Sequence, residues 1–271
     1  TATTDARGPD TFLTGVLKLH DIRVVKAPVL ARVLSLGSLT SFAALLDRKE
    51  GIPFSKVKLP FRWTAPKLEL MGVRVDENLE RMRTVLRTGD EVLAAAAFKA
   101  DDEIDAMNVS LTERCYLLLG RESPVASDLR FVVSVVRIIS ELERVGDLAL
   151  RVVRLGREHP TLAASGVVWD VLLTVSDEAV EMFRTALRAW SSQDLGLATA
   201  LATEHRSLDL YYERLVNELR ELQGPDAVRI AMDAFVAGRA LERIADHSAI
   251  IGARLRYLLT GEPAHLAAEV R

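Results

Sequence analysis

Leu142-Glu143-Arg144-Val145-Gly146-Asp147 and Leu241-Glu242-Arg243-Ile244-Ala245-Asp246 are one string written twice. Apolar residues recur around each copy at three- and four-residue steps. Ile138, Leu142, Val145, Ala149 and Val152 form the first stripe, and Ile244, Ile251, Leu255 and Leu258 the second. That period belongs to one face of a helix. The echo extends outward. Arg130 matches Arg229 at the same offset, while Asp90 matches Asp194 and Ile104-Asp105 matches Leu208-Asp209 at a slightly larger one. A turn at Gly224-Pro225 that is shorter than Gly120 to Pro124 accounts for the difference. A repeat of this length implies two copies of a three-helix unit.

The other stripes and the breaks between them complete the pattern. Leu79, Met82 and Leu86 mark one helix, and Leu111, Cys115 and Leu118 the next. Thr88-Gly89-Asp90 ends the first and caps the second, and Ser123-Pro124 is expected to put a cap residue before a proline at the first helical position. Gly156 to Gly166, with Pro160 between, divides the copies; Ser191 to Asp194 and Gly224-Pro225 punctuate the second. The expected fold is all-α: two three-helix bundles in tandem, at 66–157 and 166–262, related by pseudo-twofold symmetry.

Composition agrees and excludes several functions. Of 271 residues, 49% are hydrophobic and only 6% aromatic, so the core is built from Leu, Val, Ile and Ala, a mixture that favours helices. Thirty-five Lys and Arg stand against 38 Asp and Glu, a net charge of -3, without the basic excess an electrostatic nucleic-acid binder needs. A single cysteine, Cys115, excludes an internal disulfide and a thiolate zinc cage, fits a reducing compartment and lies on an apolar stripe as a core thiol. No apolar run approaches the roughly 18 residues that span a bilayer. No basic-then-apolar leader stands at Thr1, although a chain that begins without Met can already have been trimmed. Phosphate-loop, dinucleotide, zinc-protease and nucleophile-elbow strings are absent.

Residues 1–65 stand outside the repeat. Val57, Leu59, Phe61 and Trp63 alternate with Lys58, Pro60 and Arg62, which predicts a strand; Leu17, Leu19, Asp21 and Arg23 suggest another. A helical stripe through Val33, Leu36, Leu39 and Phe42 lies between them, within Pro28 to Leu46.

The chemically informative feature is a set of four polar pairs, each spaced by one helical turn: Asp101/Asp105, Glu143/Asp147, His205/Asp209 and Glu242/Asp246. Like charges at that spacing repel by a few tenths of a kcal/mol, and a bound cation turns the repulsion into chelation. Small Gly146 and Ala245, inside two of the pairs, let a neighbouring helix approach. Each half therefore offers two pairs on two helices as a candidate metal site, with His205 in a carboxylate's place. Arg144 and Arg243 could instead neutralise the acids as ion pairs. Arg137, Arg144 and Arg151 recur at seven-residue steps, on what should be the solvated side of their helix, and offer a partner-docking surface at most. His247 reads as a partly buried polar residue.

Ser123-Pro124-Val125-Ala126-Ser127-Asp128-Leu129-Arg130, the two LERxxD strings, and Tyr257-Leu258-Leu259-Thr260-Gly261-Glu262 resemble signatures of the PhoU phosphate-signalling family, over about Leu68 to Glu262. The resemblance implies paired three-helix bundles with metal ions, iron or zinc, at the acidic pairs. It also implies a non-enzymatic, cytoplasmic, homodimeric regulator. Such a protein reaches the membrane through its partners: the ATPase subunit of the phosphate ABC transporter and the phosphate-sensing histidine kinase. It represses the phosphate-starvation response when phosphate is plentiful. His205 departs from the family's acidic residue. The family's first helix also begins well before Met71-Gly72; if residues 1–65 replace its start, the first bundle is shortened and is the less stable half. Gly15 to Trp63, with Val24 to Arg32 and Glu50 to Phe54, resembles part of the AsmA-like envelope proteins instead. Two other readings compete. A metal-free adaptor would use the acidic pairs to bind partner arginines. A ferritin-like di-metal oxidoreductase would place Glu-x-x-His on its core helices, where this chain has LERxxD.

Overall fold

The computed structural model describes residues 2–4, 13–24, 52–63, 65–122, 124 and 127–270. Side chains are described from Lys67 onward, apart from 122, 157, 204–207 and 268–270. By its contacts the chain divides into two units, Thr1–Pro66 and Lys67–Arg271.

In the first unit, β1 (Ala2–Thr4), β2 (Leu13–Val24) and β3 (Ile52–Trp63) form an antiparallel sheet in that order. Leu13 pairs with Trp63 and Val24 with Ile52. The alternation at Val57 to Trp63 thus lies in a strand, as does the segment Leu17 to Arg23. Among the described strands β3 lies at the sheet's end, where proline is best tolerated, but Pro53 and Pro60 are an odd number of residues apart in an unbroken register, so one of them turns its nitrogen toward β2 and leaves a ladder bond unmade. The helix expected within Pro28 to Leu46 falls outside the described residues, as do most of the segments Val24 to Arg32 and Glu50-Gly51.

The second unit is helical. Helix α1 (Ala65–Thr88), α2 (Glu91–Glu122) and α3 (Ser127–Val153) form the first triad. A 3-10 turn at Arg154–Glu158 and a short α4 (His159–Ala163) lead to the second: α5 (Val167–Ser192), α6 (Leu195–Arg220) and α7 (Ala227–Thr260). A last 3-10 segment covers Pro263–Val270. The first helices of the two triads are close in length, 24 residues in α1 and 26 in α5.

Local chemistry sets the helix ends. Gly89 takes φ +67°, a left-handed turn that costs a residue without Cβ little, and Asp90 Oδ1 then accepts from the backbone N–H of Val92 (2.8 Å) and Leu93 (2.9 Å). Asp194 repeats the device, accepting from Leu197 N at 3.0 Å. The start expected at Ser123-Pro124 is corrected: α3 begins at Ser127, Pro124 is not helical, and Ser123 lies outside the described residues.

One apolar cluster runs through all six long helices, from Leu68, Leu79 and Met82 to Leu241, Ile244 and Leu255. Repeat mates meet across the pseudo-twofold. Helix α3 packs on α7, and arginines lace α1 to α5: Arg184 reaches Asp76 (2.8 Å) and Glu80 (3.0 Å), while Arg83 and Arg87 reach Asp177. Helix α2 lies against α3, and α6 against α5 and α7.

Candidate functional site

The doubled string puts Glu143 and Asp147 one turn apart on α3, beside Asp101 and Asp105 on α2. Gly146 makes the approach possible: a Cβ there would stand 3.2 Å from Asp101 Oδ1, so any side chain would press on that carboxylate. Burial pushes the Asp101 carboxyl up to about 6, with the negative charges of Asp105, Asp147, Asp102 and Glu143 adding to it. Burial also raises Glu143, followed by Asp147 and Asp105, with Arg144 and His247 acting in the opposite sense. The four expected carboxylates of the first half are therefore neighbours that feel one another. Asp102, which pair spacing did not single out, joins their field. Among the described residues, no group of three or more His, Cys, Asp or Glu side chains is arranged to hold a metal ion as it stands.

The second half differs. Glu242 is half-buried and raised, by burial first and Asp246 next, but Arg239 donates to its Oε2 and Arg243 stands 3.6 Å from Asp246. The acids of α7 thus already meet guanidinium groups from their own helix. Asp209 is half-buried on α6, and the side chain of His205 falls outside the described residues.

A buried polar bridge joins the halves. Glu141 Oε2 lies 2.5 Å from His247 Nδ1, with both side chains almost wholly buried. Arg137 Nε stands 3.0 Å from the other oxygen of Glu141. Arg137 is therefore no simple solvated charge, which corrects the expectation for the seven-residue arginine series; Arg144 and Arg151 are exposed as expected. His247 is more deeply buried than its spacing suggested, and Glu141 was not anticipated at all. The available signal was its position on the apolar stripe between Ile138 and Val145, where a carboxylate needs a partner. Cys115 is buried, and burial pushes its thiol up to about 11, as fits a core residue.

Comparison with known proteins places this architecture. The PhoU domain model matches residues 68–155 and 172–255, one match on each triad. The chain is 30% identical over 199 residues to the phosphate-specific transport system accessory protein PhoU of Serratia marcescens, covering 71% of this chain and 79% of that protein. Its counterpart in Escherichia coli (strain K12) is 28% identical over 199 residues, with coverages of 71% and 80%. The crystal structure of PhoU from Pseudomonas aeruginosa superposes with a TM-score of 0.69 at 29% identity, covering 73% of this chain and 96% of that one. The phosphate transport system regulatory protein PhoU of Streptococcus pneumoniae gives 0.65 at 25% identity, covering 73% and 94%. Residues 1–67 lie outside both matched stretches.

Proposed function

The chain belongs to the PhoU family, and on that premise we propose that it is a metal-binding negative regulator of phosphate uptake and of the phosphate-starvation response. It couples the phosphate ABC transporter, through the ATPase subunit, to a sensor histidine kinase, and it works in the cytoplasm as a homodimer. The observation that carries this reading is the doubled PhoU match, one on each three-helix unit. Relatives whose names give the role, phosphate-specific transport system accessory proteins, support it further. No helix of the described residues is long and apolar enough to cross a membrane, which fits a partner-mediated association.

Asp101, Asp105, Glu143 and Asp147 would hold the first cation, iron or zinc. The donor set fits: its oxygens are hard, and their mutual repulsion, eased at Glu143 by Arg144 and His247, still raises Asp101 and Glu143, so a cation would stabilise the half that holds it. Gly146 gives the two helices the approach such a site requires. His205, Asp209, Glu242 and Asp246 would form the second site. There the arginine contacts of Glu242 and Asp246 favour the metal-free alternative, in which carboxylates meet guanidinium groups.

The test is deletion of the gene in its native host. Constitutive expression of a starvation-responsive phosphatase reporter in phosphate-replete medium, silenced again by the wild-type gene, is the expected result. An unchanged reporter together with unchanged phosphate uptake would overturn the reading.

A further inference from the structure

The repeat carries Glu141 onto Ala240 and Leu148 onto His247, so the mates α3 and α7 meet at two equivalent places. At one, Glu141 and His247 fill the space between them as a buried bridge. At the other, Leu148 faces Ala240, and the smaller pair leaves an open groove of about 130 Å³. Leu148, Ala240, Phe235 and Val236 form its apolar walls. A dry cavity of about 150 Å³ accepts benzene, so this space takes one apolar side chain.

Two further features give the occupant its chemistry. Val228 (73% exposed), Met232 (65%), Phe235 (47%) and Val236 (41%) follow helical spacing along α7 and lead an exposed apolar stripe into the groove. Arg151, Arg239 and Arg243 line the groove, and no carboxylate among the described residues does. Arg239 and Arg243 lean on Glu242 and Asp246 from partly exposed positions, and Arg151 has no partner among the described residues. An apolar slot between two antiparallel helices, bordered by cations, suits a helix that offers an apolar anchor and flanking carboxylates. From this we propose that the α3–α7 groove is the docking site for an acidic amphipathic helix of a partner protein. The inference rests on the reading that the chain acts through protein partners.

The test places a photoreactive residue in the full chain, Val236→p-benzoylphenylalanine, irradiates the native host in phosphate-replete medium and sequences the cross-linked peptides. The expected product is one dominant adduct to a helical segment in which Asp and Glu outnumber Lys and Arg. Arg151→Glu should lower its yield about tenfold by reversing a rim charge, and Ala240→Phe should abolish it by filling the slot. Arg151→Glu keeps the test open if the filled variant fails to fold. The same photoreactive residue at Val109, an exposed position on α2, should not give this adduct. Adducts only to lipid, to nucleic acid, to a second copy of the chain or to a basic segment would overturn the proposal, as would the absence of an adduct. An acidic helix from a protein unconnected with phosphate keeps the groove and sinks the proposed function. Cross-links to phosphate-transport proteins from Val109 alone do the reverse.

Discussion

Asp101→Asn removes a carboxylate strongly disfavoured by its surroundings. Burial and four neighbouring acids hold its carboxyl at about 6 in place of the ordinary 3.8. Each unit of such a difference is worth about 1.36 kcal/mol between protonation states, so the ionised form carries about 3 kcal/mol before solvent is counted. Asp101 is partly exposed, and screening reduces this to about 1–2 kcal/mol. The direction follows from which state holds the proton. Below the unfolded value both states are protonated and Asp101 contributes nothing. Between 3.8 and about 6 the folded chain keeps a proton that the unfolded chain has released, so stability falls as pH rises. Above about 6 the whole penalty is present.

Asparagine should therefore leave stability unchanged near pH 3.5 and raise it by about 1–2 kcal/mol near pH 8 in a chelating buffer. For a domain of this size each kcal/mol moves the unfolding midpoint by about 2–4 °C, so calorimetry should record a rise of about 2–8 °C. Saturating iron or zinc should reverse the order, because the wild type then gains binding energy that the variant has lost. An Asp101→Asn protein no more stable than wild type at pH 8, or one whose gain persists in acid, would refute the electrostatic reasoning.

Other outcomes follow from the same structure. His247→Leu should cost about 3 kcal/mol in urea unfolding because it takes away the partner of the buried Glu141 Oε2 and leaves only arginines beside the other oxygen, and Glu141→Leu added to it should recover most of that loss. Equal or greater destabilisation in the double variant would show that the bridge is not what the single change breaks. Asp90→Ala should cost about 1 kcal/mol by leaving two helix N–H groups without their cap, and a change within error would refute the capping role. Cys115, buried and with its thiol pushed up to about 11, should stay unreactive to a disulfide reagent at pH 8 until denaturant is added. Rapid labelling of the native protein would contradict its place in the core.

The helices were legible because their signals are local. A doubled LERxxD string and a period of three to four identify paired units, and an aspartate after a turn has one useful partner, the helix N–H it caps. Alternation at Val57 to Trp63 likewise marks β3 within a few residues. Ser123 misled because a cap residue before proline is permissive, while the observed helix waits until Ser127. In the site, spacing identified which acids share a turn, and the smallness of Gly146 indicated where α2 comes near. Spacing could not show that Arg239 and Arg243 turn onto Glu242 and Asp246 while Asp101 and Glu143 face other carboxylates, because helical sequence leaves rotamers open. Nor could it pair Glu141 with His247, whose meeting depends on how α3 crosses α7. A polar residue inside each apolar stripe was the only trace.

Metal content tests the cation claim most directly. The full chain and its Glu143→Gln/Asp147→Asn variant would be loaded with iron or zinc, dialysed together and measured by elemental analysis, with circular dichroism to confirm equal helix content. The double variant should lose the metal held by the first half while any metal of the second half remains. Equal metal per chain in the two proteins would contradict the assignment of Asp101, Asp105, Glu143 and Asp147 as a cation site.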